Sequence, residues 1–281
     1  MLVSTKEMLQ EAKQRGFAIP SANFVDQISA KAYIRVAEEM GLPLILSYAQ
    51  AHSVYQNIEE AAMIGKFYIE RARVPIALHL DHGTDAVFIK KAIEAGFTSV
   101  MIDASTQDLE GNIEMTKSIV DFAHRKNIPV EAEIGHVGTG INVGQGETDA
   151  GDESIYTTVE EAKQMVQRSG LDSLAVSIGT AHGLYKGTPQ INFARLRELA
   201  QAIEIPLVLH GGSSSGDENL EKCALEGIAK INIYTDFVVN AYQNLREGKA
   251  ADYFEVKKLL VQGMENMLKH YYKVFHTRTI G

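Results

Sequence analysis

Residues 75–105 run "PIALHLDHGTDAVFIKKAIEAGFTSVMIDAS". The stretch opens on Pro75, passes through a short apolar segment, and ends that segment in His79, Asp81 and His82, followed at once by a glycine. From Thr84 the period changes. Thr84 stands where an N-cap belongs and Asp85 falls in the first turn; Phe88/Ala92 and Ile89/Ile93 form i,i+4 apolar pairs, and Gly96 stops the helix. A second apolar segment, "FTSVMI", then ends in Asp103 and Ser105. Strand, helix and strand in succession make a parallel βαβ unit.

The same punctuation recurs along the chain. "GLPLILSYAQ", "RVPIALHLDH", "NIPVEAEIGH" and "EIPLVLHGGS" each enter a strand through a proline: Pro43, Pro75, Pro129 and Pro206. That is a position where a missing N–H is tolerated. "RGFAIPSAN", "AGFTSVMIDAS", "SGLDSLAVSIGTAH" and "EGIAKINIYTD" replace the proline by Gly16, Gly96, Gly170 and Gly227, placed where a helix would end in a left-handed residue. Eight strand candidates alternating with helices fit a (β/α)8 TIM barrel better than a doubly wound sheet. No GxGxxG follows the first strand, which also weighs against a dinucleotide fold. The reading is one barrel domain over residues 1–281, with a C-terminal helical extension from about 237.

Composition narrows the class. No apolar run reaches the roughly 18 residues of a membrane span. The opening "MLVSTKEMLQEAKQRG" has the pattern of an amphipathic helix rather than a signal peptide. Cys223 is the single cysteine, so no internal disulfide forms, which fits a cytoplasmic location. A net charge of −9 argues against a nucleic-acid surface. An anionic substrate would need a local positive site against that field.

Barrel chemistry sits at the C-terminal strand ends. In order these carry Asn23; Ser47 and Gln50; Asp81 and His82; Asp103 and Ser105; Glu133 and His136; His182; His210 with Gly211, Gly212 and Ser213; and Asn232 with Thr235 and Asp236. Of nine histidines, His82, His136, His182 and His210 fall at or just beyond strand ends. Three imidazoles from separate strands with an open position make a common catalytic zinc set. His52, His124, His270 and His276 fall in loops or helices, where a solvated role is expected, and His79 is either a core histidine or a support for the site. "HGGSSSG" after strand seven, "NIYTD" ending strand eight and "AHGLYKG" after strand six, with Lys186, suit a phosphate cradle of backbone N–H groups and hydroxyls.

Taken together, "HLDHG", "AGFTSVMIDAS", "VEAEIGHVG", "HGLYKG", "PLVLHGGS" and "KIN" resemble, in their order, the motifs of the class II, metal-dependent fructose-bisphosphate and tagatose-bisphosphate aldolases. The resemblance implies Zn²⁺ held by His82, His182 and His210, with Glu133 as a supporting or alternative metal carboxylate. It implies Asp81 as proton donor at the aldehyde carbonyl and Asn232 at the enediolate. Gly183, Lys186, Gly211, Ser213 and Thr235 would line the phosphate site, with a monovalent cation (Na⁺ or K⁺) nearby, in a homodimer or homotetramer. A Schiff-base route would need a strand-end lysine inside the barrel, whereas Lys230 lies near the start of strand eight and Lys186 in a loop.

Three departures matter. The loop after strand five, "GTGINVGQGETDAGDES", lacks the acidic pair that relatives use for proton exchange; Glu147 is the nearest candidate, with Asp149 and Asp152 behind it. Tyr234 stands where relatives carry a small or polar residue. "VQGM", Val261 to Met264, replaces an arginine-bearing helical stretch that reaches the distal phosphate, and Arg278 is the only late arginine. A second phosphate without a cation would be poorly held, so ketose 1-phosphates are expected to match or beat 1,6-bisphosphates. The competing readings are a metal-dependent hydrolase on the same barrel and a non-catalytic aldolase-like subunit.

Overall fold

The computed structural model describes residues 1–135, 138–139, 156–183 and 189–281. His136, Glu147, Asp149, Asp152 and Lys186 lie outside the described residues. Eight parallel strands close on themselves: Ile19–Asn23, Leu44–Ala49, Ile76–Gly83, Ser99–Ile102, Val130–Ile134, Ser173–Val176, Leu207–Leu209 and Ile228–Ile233. Each is hydrogen-bonded to its neighbours in sequence, and the eighth pairs with the first, Asn232 opposite Ser21. This is a (β/α)8 barrel, the expected fold.

The helices on its outside are α1 (Thr5–Arg15), α2 (Gln27–Met40), α3 (Ile58–Ile69), α4 (Ala86–Ala95), α5 (Leu109–His124), α6 (Val159–Ser169), α7 (Phe193–Ala202), α8 (Asp217–Leu225), α9 (Thr235–Gly248) and α10 (Tyr253–Val274). Their ends follow local chemistry. Gly16, Gly96 and Gly170 are left-handed C-caps at φ 66°, 102° and 74°. The N-cap of α4 is Asp85, one residue beyond the expected Thr84, because its carboxylate reaches the Val87 N–H at 2.9 Å. The chain opens as a two-residue strand, Leu2–Val3, beside Ile76 and Ala77, and only then enters α1.

Along the third strand, Ile76, Leu78 and Leu80 join the large core between barrel and helices. Ala77 instead joins Ile19, Ile45 and Ala229 in a second cluster, closed by Met8, Leu9 and Phe17 at α1. That plug seals the N-terminal end of the barrel. Above it the interior turns polar: Ser21, Ser47, His79, Glu131 and Lys230 are all buried. The register slips between Leu207/Ile228 and Val208/Lys230, which skips Ala229. Such a bulge re-aims side chains, and here Ala229 serves the plug while Lys230 reaches Glu131.

The C-terminal tail lies at the plugged end. Thr277 donates to the carbonyl of Ala18, just before the first strand, and Arg15 donates to the carbonyl of Thr279. Arg278 is therefore at the end of the barrel away from Asn23. Gly263 in "VQGM" has a packing reason: a Cβ there would come within 2.6 Å of the Asn240 carbonyl on α9. No described helix is long and apolar enough to cross a membrane.

Candidate active site

The C-terminal mouth holds a cavity of about 550 Å³ whose wall includes Asn23, Asp81, His82, His182, Asn232 and Tyr234. The ligand atoms of His82, His182 and His210 all lie within 4.8 Å of one another. His82, next to last in the third strand, adopts φ 45°, a left-handed conformation uncommon for a non-glycine residue. Its Nδ1 lies 2.7 Å from Asp103 Oδ2, and Asp103 is itself held by the Ser105 hydroxyl at 2.7 Å. With Nδ1–H donating to the carboxylate, Nε2 keeps its lone pair for the mouth, the arrangement by which a carboxylate orients a metal-binding imidazole.

His210 is turned the other way. Its Nε2 lies 3.0 Å from Glu131 Oε1, which leaves Nδ1 facing the cluster. His182 Nε2, His210 Nδ1 and Glu133 Oε2 are buried without a hydrogen-bond partner. His210 Nδ1 and Glu133 Oε2 are only 2.9 Å apart but not aligned for a hydrogen bond. Buried polar atoms without a partner are costly unless satisfied. The ring nitrogens of His82, His182 and His210 together fit one cation, and the Glu133 carboxylate lies against His210 Nδ1. Burial, with the charges of His210 and His82, pushes His182 down to about 4, so it stays neutral and able to ligate. Burial opposes protonation of His210, yet the carboxylates of Glu131 and Glu133 lift it to about 10.

Asp81 lies 4% exposed between two amides: Asn23 Nδ2 donates to Oδ2 and Asn232 Nδ2 to Oδ1, both at 2.8 Å. Burial opposes its ionisation, but the charges of His82, His210 and Lys230 hold it well below the usual carboxylate range. The Oδ1 of Asn232 has no partner. On the other side of the mouth, Gly211 adopts φ 66°, and a Cβ there would meet the Ala181 carbonyl at 2.4 Å, so only glycine fits. Ser213 Oγ accepts from the N–H groups of Tyr234 and Asp236 at 3.2 and 3.3 Å, tying this turn to the start of α9. Thr235 is the first residue of α9, and Gly183 borders the same cavity. Thus Asp81, His82, Glu133, His182, Gly183, His210, Gly211, Ser213, Asn232 and Thr235 gather at one mouth.

The sequence reading passed over Glu131 and misread His52, and it left open the role of His79 and the partner of Lys230. Lys230 is fully buried, with Nζ 2.7 and 2.8 Å from the two Glu131 oxygens and 3.2 Å from His79 Nε2. His79 also bonds Ser99 at 2.8 Å, and burial with the Lys230 charge pushes it down to about 3, so it is a neutral core histidine. The i,i+2 spacing of "EAE" and "KIN" held the signal: it places Glu131 on the face of Glu133 and Lys230 on the face of Asn232. His52, expected at the solvent, is instead 9% exposed and packs its ring 4.7 Å from that of Tyr234, on the cavity wall. His124, His270 and His276 are indeed surface residues, each paired with a carboxylate.

A closed parallel barrel with a metal-competent histidine cluster and an ionised, amide-clamped carboxylate at its C-terminal mouth defines a class, that of barrel enzymes with a metal-centred site. The family model described as class-II fructose-bisphosphate aldolase matches residues 3–279. A fructose-bisphosphate aldolase of Staphylococcus epidermidis is 36% identical over 264 residues, 92% of this chain and 91% of that protein. One from Staphylococcus aureus is 36% identical over 249 residues, 88% and 85% of the two chains. The crystal structure of the YdjI aldolase from Escherichia coli K12 superimposes with a TM-score of 0.88 at 32% identity, covering 98% of this chain and 97% of that one. The chain belongs to the class II fructose-bisphosphate aldolase family and is a lyase of that family.

Proposed function

We propose that the protein is a zinc-dependent aldolase that cleaves a ketose 1-phosphate or ketose 1,6-bisphosphate, of the fructose or tagatose type, to dihydroxyacetone phosphate and an aldehyde. The observation that carries this reading is the convergence of His82, His182 and His210 beside the ionised Asp81 in one mouth. Zn²⁺ on these histidines, with Glu133 as neighbouring ligand, would supply Lewis-acid stabilisation of the charge that develops at the ketone oxygen. The chain's own groups do the rest. As the carbon–carbon bond breaks, the hydroxyl that becomes the aldehyde must lose its proton. Asp81, ionised and fixed by two amides, takes it, and returns it in the condensation direction. The free Oδ1 of Asn232 holds a hydroxyl of the dihydroxyacetone half. Glu147 exchanges the remaining proton.

Gly183, Gly211, Ser213 and Thr235, with Lys186 and a monovalent cation, hold the 1-phosphate, and the N–H groups at the start of α9 suit an anion. Among the described residues, no lysine or arginine lines the mouth cavity or the neighbouring one bordered by Gln50, Asp103 and Glu133. The distal half of the substrate therefore has no cation from this part of the chain, which supports ketose 1-phosphates as substrates at least as good as bisphosphates. Lys230 does not support a Schiff-base route, because Glu131 engages its Nζ through both oxygens. The working unit is a homodimer or homotetramer of single barrel domains, each with its helical extension from about Phe237. The test is a cleavage screen of fructose and tagatose 1-phosphates and 1,6-bisphosphates after chelation and zinc repletion, detecting dihydroxyacetone phosphate. Full activity after exhaustive chelation, with metal absence shown by elemental analysis, refutes the metal route. A hundredfold lead of a bisphosphate over its monophosphate refutes the substrate preference.

A further inference from the structure

His52 and Tyr234 come from distant parts of the chain and meet over one point of the mouth. Tyr234 follows the eighth strand, His52 sits on the turn Gln50–Val54 after the second, and both strands pair with the first. Their rings, 4.7 Å apart, therefore bridge the end of the first strand, where Asn23 holds Asp81. The turn is fixed from both sides: Gln50 Oε1 accepts the Thr84 N–H at 2.8 Å, and the Tyr48 hydroxyl donates to the Gln56 carbonyl. His52 is nine-tenths buried, and its Nδ1 has no partner. The Tyr234 hydroxyl has no hydrogen-bond partner among the described residues. A buried polar atom left open on the wall of a cavity marks a place for a ligand group.

The position of the pair tells which part of the ligand it meets. The phosphate cradle lies on the loops after strands six to eight, and Asp81 serves the oxygen at the cleaved bond. The aldehyde half extends past Asp81 toward the ends of strands one and two, where His52 and Tyr234 stand. Burial lowers the imidazole of His52 so that it is neutral, despite the nearby charge of Asp81. A neutral imidazole and a phenol each offer a donor and an acceptor, matching hydroxyl groups, which need both. A phosphate offers only acceptors, and here it would face the Asp81 carboxylate with no cation on the wall among the described residues.

We propose that His52 and Tyr234 are the specificity-determining wall for the aldehyde half, selecting an uncharged, hydroxylated aldehyde over a phosphorylated or an apolar one. This rests on the reading of the site as an aldolase that yields dihydroxyacetone phosphate. The experiment uses the full-length, zinc-loaded protein in the condensation direction, with dihydroxyacetone phosphate and three acceptors: glyceraldehyde, glyceraldehyde 3-phosphate and propionaldehyde. Glyceraldehyde should lead both others in kcat/KM. Tyr234→Phe and His52→Phe keep an aromatic ring and remove the polar atoms. Each should lower the glyceraldehyde-to-propionaldehyde ratio about three- to tenfold, the value of one hydrogen bond. Glyceraldehyde 3-phosphate leading, or a ratio within about twofold of wild type in both variants, overturns the proposal. Loss of turnover with every acceptor in both variants makes the rings part of the reaction rather than of acceptor choice, and overturns it as well. Wild-type exchange of the dihydroxyacetone phosphate proton with deuterated water, without any aldehyde, separates the two readings. No exchange defeats the aldolase reading itself; exchange with an unmoved ratio defeats only the wall.

Discussion

Glu131→Gln should unfold the barrel at a clearly lower temperature, although the residue touches no substrate. Glu131 is 2% exposed and Lys230 fully buried, and the two share hydrogen bonds of 2.7 and 2.8 Å. His79, the third contact of the lysine, is neutral and accepts at 3.2 Å, so it cannot replace the lost charge. Breaking such a pair leaves an uncompensated ammonium in the interior, which costs about 3–5 kcal/mol. At about 2–4 °C per kcal/mol for a chain of this size, Tm should fall by about 6–20 °C. The assay is thermal denaturation of chelated protein, so that metal binding does not add to the apparent stability. Adding Lys230→Met to Glu131→Gln should recover part of the loss, because the lysine's orphaned charge is removed while His210 still lacks the Glu131 carboxylate. A Glu131→Gln protein that melts within about 2 °C of wild type, or a double variant no better than the single, would refute the argument that this pair is a desolvated ion pair.

The remaining expectations concern the mouth. Asp81→Asn should keep its metal and lose about 10²–10⁴ in kcat, the usual contribution of a positioned acid–base group; a variant within about threefold of wild type removes Asp81 from the chemistry. Asp103→Ala strips His82 of its Nδ1 partner and should weaken zinc affinity about 10–100-fold in a competition titration with a chromogenic chelator, and unchanged affinity would show that Asp103 does not orient the ligand. In the metal-free protein His210 is lifted to about 10, so at neutral pH it carries a proton that zinc must displace. The sign follows: the proton competes at every pH below that value, so zinc affinity should rise with pH, and uptake at neutral pH should release at least one proton. Titration calorimetry in buffers of different ionisation enthalpy reads this directly, and uptake without proton release would show His210 already neutral.

How far these features were legible depended on how local their causes are. The helix stops at Gly16, Gly96 and Gly170 could be placed because the left-handed cap is a property of one residue. The cap of α4 was displaced by one residue, since Thr84 and Asp85 are both competent and only the backbone path decides between them. The strand at Leu2–Val3 was missed because its partner, Ile76–Ala77 in the third barrel strand, lies far along the chain and leaves no local pattern. In the site, a rule of position, the strand end, exposed His82, His182 and His210 together with His136, and the family resemblance picked out the three. That rule also covers His52, only three residues past Ala49, but its turn carries no polar periodicity to mark it as buried. What buries it is Tyr234, contributed by the far end of the chain.

The same distinction explains why the support beneath the site was harder to see than the site itself. Reactive groups at a barrel mouth are announced by residue type, since a histidine or an aspartate after an apolar run is conspicuous. Glu131 and Lys230 sit inside strands, where a charged residue looks like an exception to be discounted. Yet the interior of this barrel departs from the usual branched apolar filling: Ser21 and Ser47 bond at 2.6 Å, and His79, Glu131 and Lys230 form a connected polar layer. That layer fixes the Nε2 side of His210 from below, which forces Nδ1 upward to the mouth. A polar interior costs stability that an apolar one would supply, and it holds only while every member is paired. The barrel accepts that cost where the imidazole must present one nitrogen and not the other. The choice of ring nitrogen at the mouth is thus set two layers down, by a bulge that skips Ala229 and lets Lys230 meet Glu131.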